Sequence, residues 1–192
     1  MGEIMKGHVD GIILAAGFSR RVGMWKMALP LKGRTVIECA IMGISPVVDR
    51  IIVVGGYNFK QLLGIIGQFE KVLPVYNENF PYGMFTSVQK GVENVVGDRF
   101  FILPGDVPLV KASTYKLMLE YQGDIIVPVY HGRKGHPVLL TYRMKEFLIK
   151  EERWSNLKSF INKMGFKTVV VDDPFIKMDI DTLEDYWNIT SG

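Results

Sequence analysis

A short segment near the start of the chain combines glycine, hydroxyl and basic residues in a way that suits phosphate chemistry. It reads Ala-Gly-Phe-Ser-Arg-Arg-Val-Gly-Met-Trp-Lys over residues 16–26. Its glycines allow a ligand to approach the backbone closely, and its N–H groups and the Ser19 hydroxyl can surround phosphate oxygens. Arg20, Arg21 and Lys26 add positive charge, so a triphosphate is the natural counterpart. The spacing fits neither a dinucleotide fingerprint nor a Walker loop, and a surface loop with solvated basic residues is the alternative.

Carboxylates in two later segments are placed where they could hold a metal ion. Asp106 follows an apolar run and lies in a Pro-Gly-Asp-Val-Pro turn. It lies too far before the helix predicted to begin near residues 111–113 to cap its first turn, which favours a functional role. Asp179 and Asp181 alternate, so in extended geometry both side chains point to the same side. Two carboxylates with phosphate oxygens and water suit Mg²⁺, which prefers octahedral oxygen coordination.

Two further segments have weaker signals of binding. Gly83, followed by small hydroxyl residues, opens a predicted helix whose N-terminus suits an anion or a ribose. His136 lies beside a proline in a Gly-His-Pro turn, where a lone histidine is usually structural. Three aromatic residues around the helix start are expected to be mostly core: Phe80, Tyr82 and Phe85.

Apolar runs and helical periodicity alternate along the chain and define the elements that must position these residues. Most strand-length runs are unbroken, which is typical of strands buried on both faces. The alternation predicts an α/β fold, a three-layer α/β/α sandwich with a mostly parallel, Rossmann-like sheet. Ligands of such sheets bind beyond the carboxyl ends of the strands, which is where the candidate residues lie. The predicted strands are 11–15, 50–54, 71–75, 99–103, 124–129, 137–140 and 168–171. The predicted helices are 35–44, 59–66, 84–96, 112–121, 143–149, 155–164 and 182–189.

Length and composition predict one globular domain over residues 1–192, because 192 residues with 48% hydrophobic content suit a single core. No apolar run approaches the roughly 20 residues that span a bilayer, and the start lacks a signal peptide's pattern. The single cysteine, Cys39, excludes an internal disulfide and a zinc site built on thiolates. A cytoplasmic location is therefore the default. Scattered Lys and Arg and a net charge of +3 give no indication of nucleic-acid binding.

The opening loop also carries a family resemblance. Leu-Ala-Ala-Gly-x-Ser-x-Arg-x-Gly-x-x-Lys over residues 14–26 resembles the signature of nucleotidyltransferases with the nucleotide-diphospho-sugar transferase fold. It is most similar to the branch that contains molybdenum cofactor cytidylyltransferase. The resemblance implies that the loop wraps the triphosphate and that Arg21 and Lys26 neutralise charge as pyrophosphate leaves. Val22 replaces the usual methionine and Ala28 the common leucine, and both remain apolar.

The resemblance extends to the carboxylates and to the middle of the chain. Gly-Asp-x-Pro is where this family binds Mg²⁺, which implies Asp106 as a catalytic metal ligand. The family pattern Asp-Ile-Asp-Thr-Pro-Glu-Asp matches residues 179–185, with Leu183 replacing proline, and implies Asp181 as the second ligand ahead of Asp179. The nucleotide-binding residues implied by the resemblance are Leu14, Ala15, Ala16, Gly17, Ser19, Arg21, Lys26, Asn77 (the weakest of the set), Gly83, Ser87 and Gly105.

The acceptor side of the cleft matches the family only in part. Gly135, His136 and Pro137 resemble the Gly-His-Pro segment of the cytidylyltransferase branch and are implied as acceptor contacts. That branch usually continues with a Gly-Asp-x-Gly-Ala-Arg-like segment, whereas this chain reads Glu-Glu-Arg-Trp-Ser-Asn over residues 151–156. The missing glycines leave the second substrate open.

The function implied by the resemblance is Mg²⁺-dependent transfer of CMP from CTP to a phosphorylated acceptor, molybdopterin, with release of pyrophosphate. The sequence Ala15-Ala16-Gly17 favours CTP, since the guanylyl branch tends to Ala-Gly-Gly. A molybdoenzyme or its chaperone is a candidate partner. Four alternatives stay open: guanylyl transfer, a sugar- or polyol-phosphate acceptor, a glycosyltransferase using Asp179 and Asp181 as its metal motif, and a non-catalytic nucleotide-binding cofactor chaperone.

Overall fold

The computed structural model describes residues 7–19 and 23–190. The strands are β1 (Val9–Ala15), β2 (Pro30–Leu31), β3 (Arg34–Thr35), β4 (Arg50–Gly55), β5 (Val72–Tyr76), β6 (Arg99–Pro104), β7 (Ile125–Tyr130), β8 (Arg133–Lys134), β9 (Val138–Thr141) and β10 (Lys167–Val170). The helices are α1 (Val36–Ile44), α2 (Phe59–Ile66), α3 (Met84–Glu93), α4 (Ala112–Leu119), α5 (Met144–Lys150), α6 (Leu157–Met164) and α7 (Leu183–Thr190). Short 3₁₀ helices cover Lys26–Ala28, Phe80–Tyr82 and Pro174–Lys177.

One mixed, mostly parallel sheet of eight strands organises the protein. Seven strands follow the order β10-β7-β9-β6-β1-β4-β5, and β8 pairs with β7. Strand β9 runs antiparallel to both β6 and β7, and β8 is antiparallel to β7. Every residue of β1 is buried, as expected for a central strand covered on both faces. The predicted α/β architecture with a mostly parallel sheet is confirmed.

Helices cover both faces of the sheet and complete a three-layer sandwich. Successive residues of β1 alternate between the two layers, with Ile13 in one hydrophobic cluster and Ile12 in the other. Helices α1, α4 and α7 contribute to the Ile13 side, and α3, α5 and α6 contribute to the Ile12 side. No helix in the described residues is both long and apolar enough to cross a bilayer.

The predicted elements are present, with bounds that differ by up to three residues. Helix α3 ends at Glu93 rather than at residue 96, because the chain turns there to direct two N–H groups into a buried carboxylate. The β2–β3 hairpin, in which Lys32 and Gly33 have positive φ, was not predicted, and neither was β8. The expectation that Tyr82 is core is wrong, because its side chain is 54% exposed.

That buried carboxylate, Asp10, fixes the end of the sheet opposite the candidate site. It is fully buried and accepts hydrogen bonds from the Arg50 guanidinium at 3.2 and 3.1 Å. The backbone N–H groups of Val96 and Gly97 also donate to it, at 2.8 and 2.9 Å. Burial alone would raise the pKa of Asp10, but these hydrogen bonds outweigh burial and hold the pKa below its ordinary value.

We expect Asp10→Ala to lower the free energy of unfolding by about 3 kcal/mol at pH 7, because Arg50 and two N–H groups lose their partner. Chemical denaturation measures this, with the exposed Glu70→Ala as control. The folded pKa of Asp10 is depressed, so its stabilisation is complete above the unfolded pKa and fades as pH falls through the folded one. The difference in the free energy of unfolding between wild type and variant should therefore become smaller below about pH 4. A gap that stays constant on acidification would contradict this assignment.

Candidate active site

A cleft of about 400 Å³ opens beyond the carboxyl ends of β1 and β6. Its lining includes many of the residues implicated by the sequence: Leu14, Ala15, Ala16, Gly17, Ser19, Lys26, Gly83, Ser87, Asp106 and Asp181. Six predicted site residues do not line the cleft: Asn77, Gly105, Gly135, His136, Pro137 and Asp179. Arg21 lies outside the described residues.

The described residues on either side of the segment 20–22 bring Lys26 to face the cleft. Ser19 and Gly23 both have positive φ, at 56° and 74°, which is the conformation that favours glycine at the second position. The Lys26 backbone N–H donates to the Ser19 hydroxyl at 3.0 Å and closes the loop. Trp25 and Met27, on either side of Lys26, are buried in the core. This anchoring directs the intervening lysine outward into the cleft.

The Lys26 ammonium lies between two carboxylates in the cleft. Its Nζ is 2.6 Å from Asp106 Oδ2 and 3.3 Å from Asp181 Oδ1. The three side chains are only 12%, 19% and 32% exposed, so solvent screens these charges weakly. Lys26 was expected to neutralise phosphate, whereas in this state it neutralises the carboxylates.

Backbone hydrogen bonds from neighbouring segments position the two carboxylates. The Gly105 N–H donates to the Leu14 carbonyl at 2.9 Å, and a Cβ at Gly105 would collide with Met27 and that carbonyl. The Ile180 N–H donates to the Asp106 carbonyl at 2.9 Å and thereby brings the next residue, Asp181, to the same place. Gly105 thus supports the site by allowing close approach of the β1 and β6 ends.

Two aspartates, Asp185 and Asp173, have structural roles because they cap helices. Asp185 accepts hydrogen bonds from the N–H and hydroxyl of Thr182, which lower its pKa, and the Thr182 hydroxyl accepts from the Asp185 N–H. These bonds form a capping box at the start of α7. At the start of α4, Asp173 rather than Asp106 accepts the Lys111 N–H, at 2.8 Å. Asp106 consequently remains available to the cleft.

The donor set fits a hard divalent cation. Asp106 and Asp181 already share one cation, the Lys26 ammonium, so both lie within reach of a single charge. Burial and then the negative charges of Asp181 and Asp106 raise the pKa of Asp179. The described residues contain no group of three His, Cys, Asp or Glu suited to a metal. Two carboxylates completed by substrate oxygens and water are typical of Mg²⁺.

The opposite wall of the cleft depends on Asn77. This side chain is 1% exposed, and its Nδ2 donates to the hydroxyls of Thr86 and Ser87, both at 2.9 Å. Its Oδ1 accepts the Asn79 N–H at 3.0 Å. Asn77 therefore fixes the start of α3 and orients Ser87, which does line the cleft.

Apolar residues complete the lining, and sequence reasoning missed them. The Phe18 ring packs 5.0 Å from the Phe80 ring and 5.3 Å from the Tyr57 ring. Phe80, Pro81 and Met84 also line the cleft, and Phe85 is buried as expected. The available signal was that Phe18 lies within the phosphate loop and that Phe80, Pro81 and Met84 lie within three residues of Gly83.

The Gly-His-Pro segment lies behind Asp106 rather than in the cleft. The His136 N–H donates to the Ile176 carbonyl at 2.7 Å, and a Cβ on Gly135 would collide with that carbonyl. Burial lowers the pKa of His136, although the charge of Asp106 acts in the opposite direction. Its Nδ1 is buried and has no hydrogen-bond partner among the described residues.

The sheet, the loop after β1 and the paired carboxylates define this protein as a nucleotidyltransferase. The MobA-like NTP transferase domain family matches residues 11–169, and the chain belongs to this family.

Individual relatives agree with this assignment. The molybdenum cofactor cytidylyltransferase of Escherichia coli (strain K12) is 28% identical over 179 residues, which is 93% of each chain. A probable molybdenum cofactor guanylyltransferase of Natranaerobius thermophilus is 27% identical over 197 residues, covering 97% of this chain and 93% of that protein.

Solved structures show the same fold. Rv0371c from Mycobacterium tuberculosis superposes with a TM-score of 0.82 at 20% identity, covering 96% of this chain and 98% of that one. The same protein has been solved in complex with manganese, with a TM-score of 0.77 at 19% identity, covering 96% of this chain and 99% of that one.

We expect Lys26→Met to raise the affinity for Mn²⁺ about tenfold when no nucleotide is present, because the ammonium and the metal compete for the same carboxylates. Isothermal titration calorimetry or Mn²⁺ electron paramagnetic resonance measures this. The matched control is Lys60→Met on the exposed surface of α2, which should leave the affinity unchanged. Equal Mn²⁺ affinity in wild type and Lys26→Met would show that the lysine and the metal do not share a site.

Proposed function

We propose that this nucleotidyltransferase transfers CMP from CTP to a phosphorylated acceptor, molybdopterin, with release of pyrophosphate and with Mg²⁺ as cofactor. The observation that carries the proposal is the pair of carboxylates, Asp106 and Asp181, held by Lys26 directly beside the glycine-rich loop. The Ala-Ala-Gly form of that loop favours CTP, and so does the cytidylyltransferase among the relatives.

The reaction is an in-line displacement at the α-phosphorus of the nucleotide. An acceptor phosphate oxygen forms the new P–O bond, and the bond from the α-phosphorus to the oxygen bridging the β-phosphate breaks. The electron pair leaves with pyrophosphate. Because a phosphate acceptor is already ionised, no general base is needed, and positioning and charge neutralisation supply most of the catalysis.

The residues of the cleft divide this work. The loop from Ala16 to Ser19 presents backbone N–H groups and a hydroxyl to the triphosphate. Lys26 moves its ammonium from the carboxylates to the phosphates as the substrate complex forms, and Arg21 joins it in neutralising pyrophosphate. Gly83 and Ser87 contact the nucleoside on the opposite wall, and Asn77 positions Ser87.

Asp106 and Asp181 would hold the Mg²⁺ ion, and Asp179 is the alternative to Asp181 as the second ligand. When bound, the ion polarises the α-phosphate and stabilises the charge that develops there. The manganese complex of the mycobacterial neighbour supports a divalent cation in this fold. Gly135, His136 and Pro137, which the family resemblance implies as acceptor contacts, would act from behind Asp106.

GTP is the second candidate nucleotide, because a probable guanylyltransferase matches the chain over nearly the same length. Sugar or polyol phosphates are the alternative acceptors. The enzyme would act in the cytoplasm, and a single nucleotidyltransferase domain would carry the activity. A molybdoenzyme or its chaperone is the candidate that would receive the product.

A pyrophosphate-release panel tests the proposal directly. CTP, GTP, UTP and ATP are each paired with molybdopterin and with several sugar phosphates, and release should be fastest for CTP with molybdopterin. Fastest release with GTP would show that the enzyme is a guanylyltransferase. Release only with a sugar phosphate would show that the acceptor is a sugar phosphate rather than molybdopterin. Tight nucleotide binding without release from any pair would favour a non-catalytic chaperone.

We expect Asp106→Asn to lower the rate of pyrophosphate release at least about 100-fold while the fold survives, because the neutral amide neither pairs with Lys26 nor binds the metal strongly. The rate is measured at saturating nucleotide and metal, with circular dichroism to confirm folding. Asp172→Asn, at an exposed aspartate outside the cleft, is the control. A near-wild-type rate for Asp106→Asn would rule out its metal role.

A further inference from the structure

Two exposed aromatic rings and a guanidinium pack together at the rim of the cleft. Tyr82 is 54% exposed and Trp154 is 65% exposed. The Arg153 Cζ lies 4.4 Å from the Trp154 ring centroid and 5.3 Å from the Tyr82 ring centroid. The two rings are 6.2 Å apart at 88°. We call Tyr82, Arg153 and Trp154 the platform.

The platform continues one wall of the cleft. Tyr82 lies between Pro81 and Gly83, and both of these residues line the cleft. Met84, the next lining residue, is itself 64% exposed. A ligand that extends out of the cleft past Gly83 therefore meets the platform next.

Hydrogen bonds fix the turn that carries Arg153 and Trp154. The Gln89 side chain, on α3, donates to the carbonyls of Leu148, Ile149 and Glu151 at 3.1, 3.3 and 2.8 Å. Glu151 also forms an ion pair with Lys163 at 2.9 Å. The Ser155 N–H donates to the Glu152 carbonyl at 2.9 Å and closes the turn. The backbone of this turn is thus held in place before a ligand arrives, which reduces the entropy lost on binding.

We propose that the platform is the subsite for the planar heterocyclic ring of the phosphorylated acceptor. This inference rests on the proposed function and adds the residues that recognise the second substrate. An exposed tryptophan face stacks on any conjugated heterocycle, and the adjacent guanidinium attracts the negative charge of its phosphate. In the proposed function the loop, Gly83 and Ser87 bind the nucleotide, which leaves the outer position for the acceptor.

Two of the three platform residues lie in residues 151–156, the segment that departs from the family pattern. Arg153 and Trp154 stand in this segment, where the resemblance predicts glycines. A glycine-rich segment would offer backbone groups to an acceptor, whereas this chain offers a ring and a cation.

Steady-state kinetics with the acceptor identified by the release panel test the inference. We expect Trp154→Ala to raise the KM for the acceptor about tenfold, the size expected when one stacked ring is lost. The KM for the nucleotide and kcat should change little. Trp154→Phe keeps a stacking face and should recover most of the loss. Trp187→Ala, at an exposed tryptophan of α7 outside the cleft lining, should have no effect. A rise in the nucleotide KM instead, or no change in either KM, would overturn the proposal.

Fluorescence supplies a readout that does not need turnover, so that failure of the proposed function and failure of the platform can be distinguished. The chain has three tryptophans, Trp25, Trp154 and Trp187. We expect 6-hydroxymethylpterin phosphate to quench the tryptophan emission saturably, and ribose 5-phosphate, which lacks the ring, to leave it unchanged. Quenching should be lost in Trp154→Phe, weakened in Arg153→Gln and kept in Trp187→Phe. Equal quenching in Trp154→Phe and Trp187→Phe, or no saturable quenching, would overturn the platform even if pyrophosphate release is observed.

Discussion

The interaction of Lys26 with Asp106 and Asp181 is the constraint around which the cleft is built. Two partly buried carboxylates side by side repel each other unless a cation lies between them. The ammonium supplies that cation at 2.6 and 3.3 Å and joins three segments that are far apart in sequence. A metal ion must therefore replace the Lys26 ammonium, which already pairs with both carboxylates in the free protein. The space between Asp106 and Asp181 is thus preorganised to hold a positive charge.

The sheet makes this arrangement geometrically available. Strands β1 and β6 are parallel neighbours, so their carboxyl ends, and the loops that follow, meet at one edge. The Gly105 to Leu14 hydrogen bond joins these ends, and the Ile180 to Asp106 hydrogen bond adds the last segment. Every residue of β1 is buried, which suits a central strand covered by helices on both faces of the sheet.

Much of this follows from the sequence, and the remainder depends on contacts between distant residues. Periodicity predicted the alternating strands and helices, and the rule for strand ends predicted that Lys26 and Asp106 lie near one cleft. The family resemblance added Asp181. No local pattern shows that Asn77 is buried beneath Ser87 or that β9 runs antiparallel. Tyr82 was expected in the core, but its ring packs on Arg153 at the surface. Pairing partners chosen across the fold leave little trace in local spacing.

A crystal structure of the protein with Mg²⁺ and a non-hydrolysable CTP analogue tests the central claim, that Lys26 and the metal exchange places. We predict a metal ion between Asp106 and Asp181, and the Lys26 ammonium within hydrogen-bonding distance of the phosphate oxygens. A structure in which Lys26 still binds both carboxylates, while the nucleotide and metal occupy the cleft elsewhere, would contradict the account.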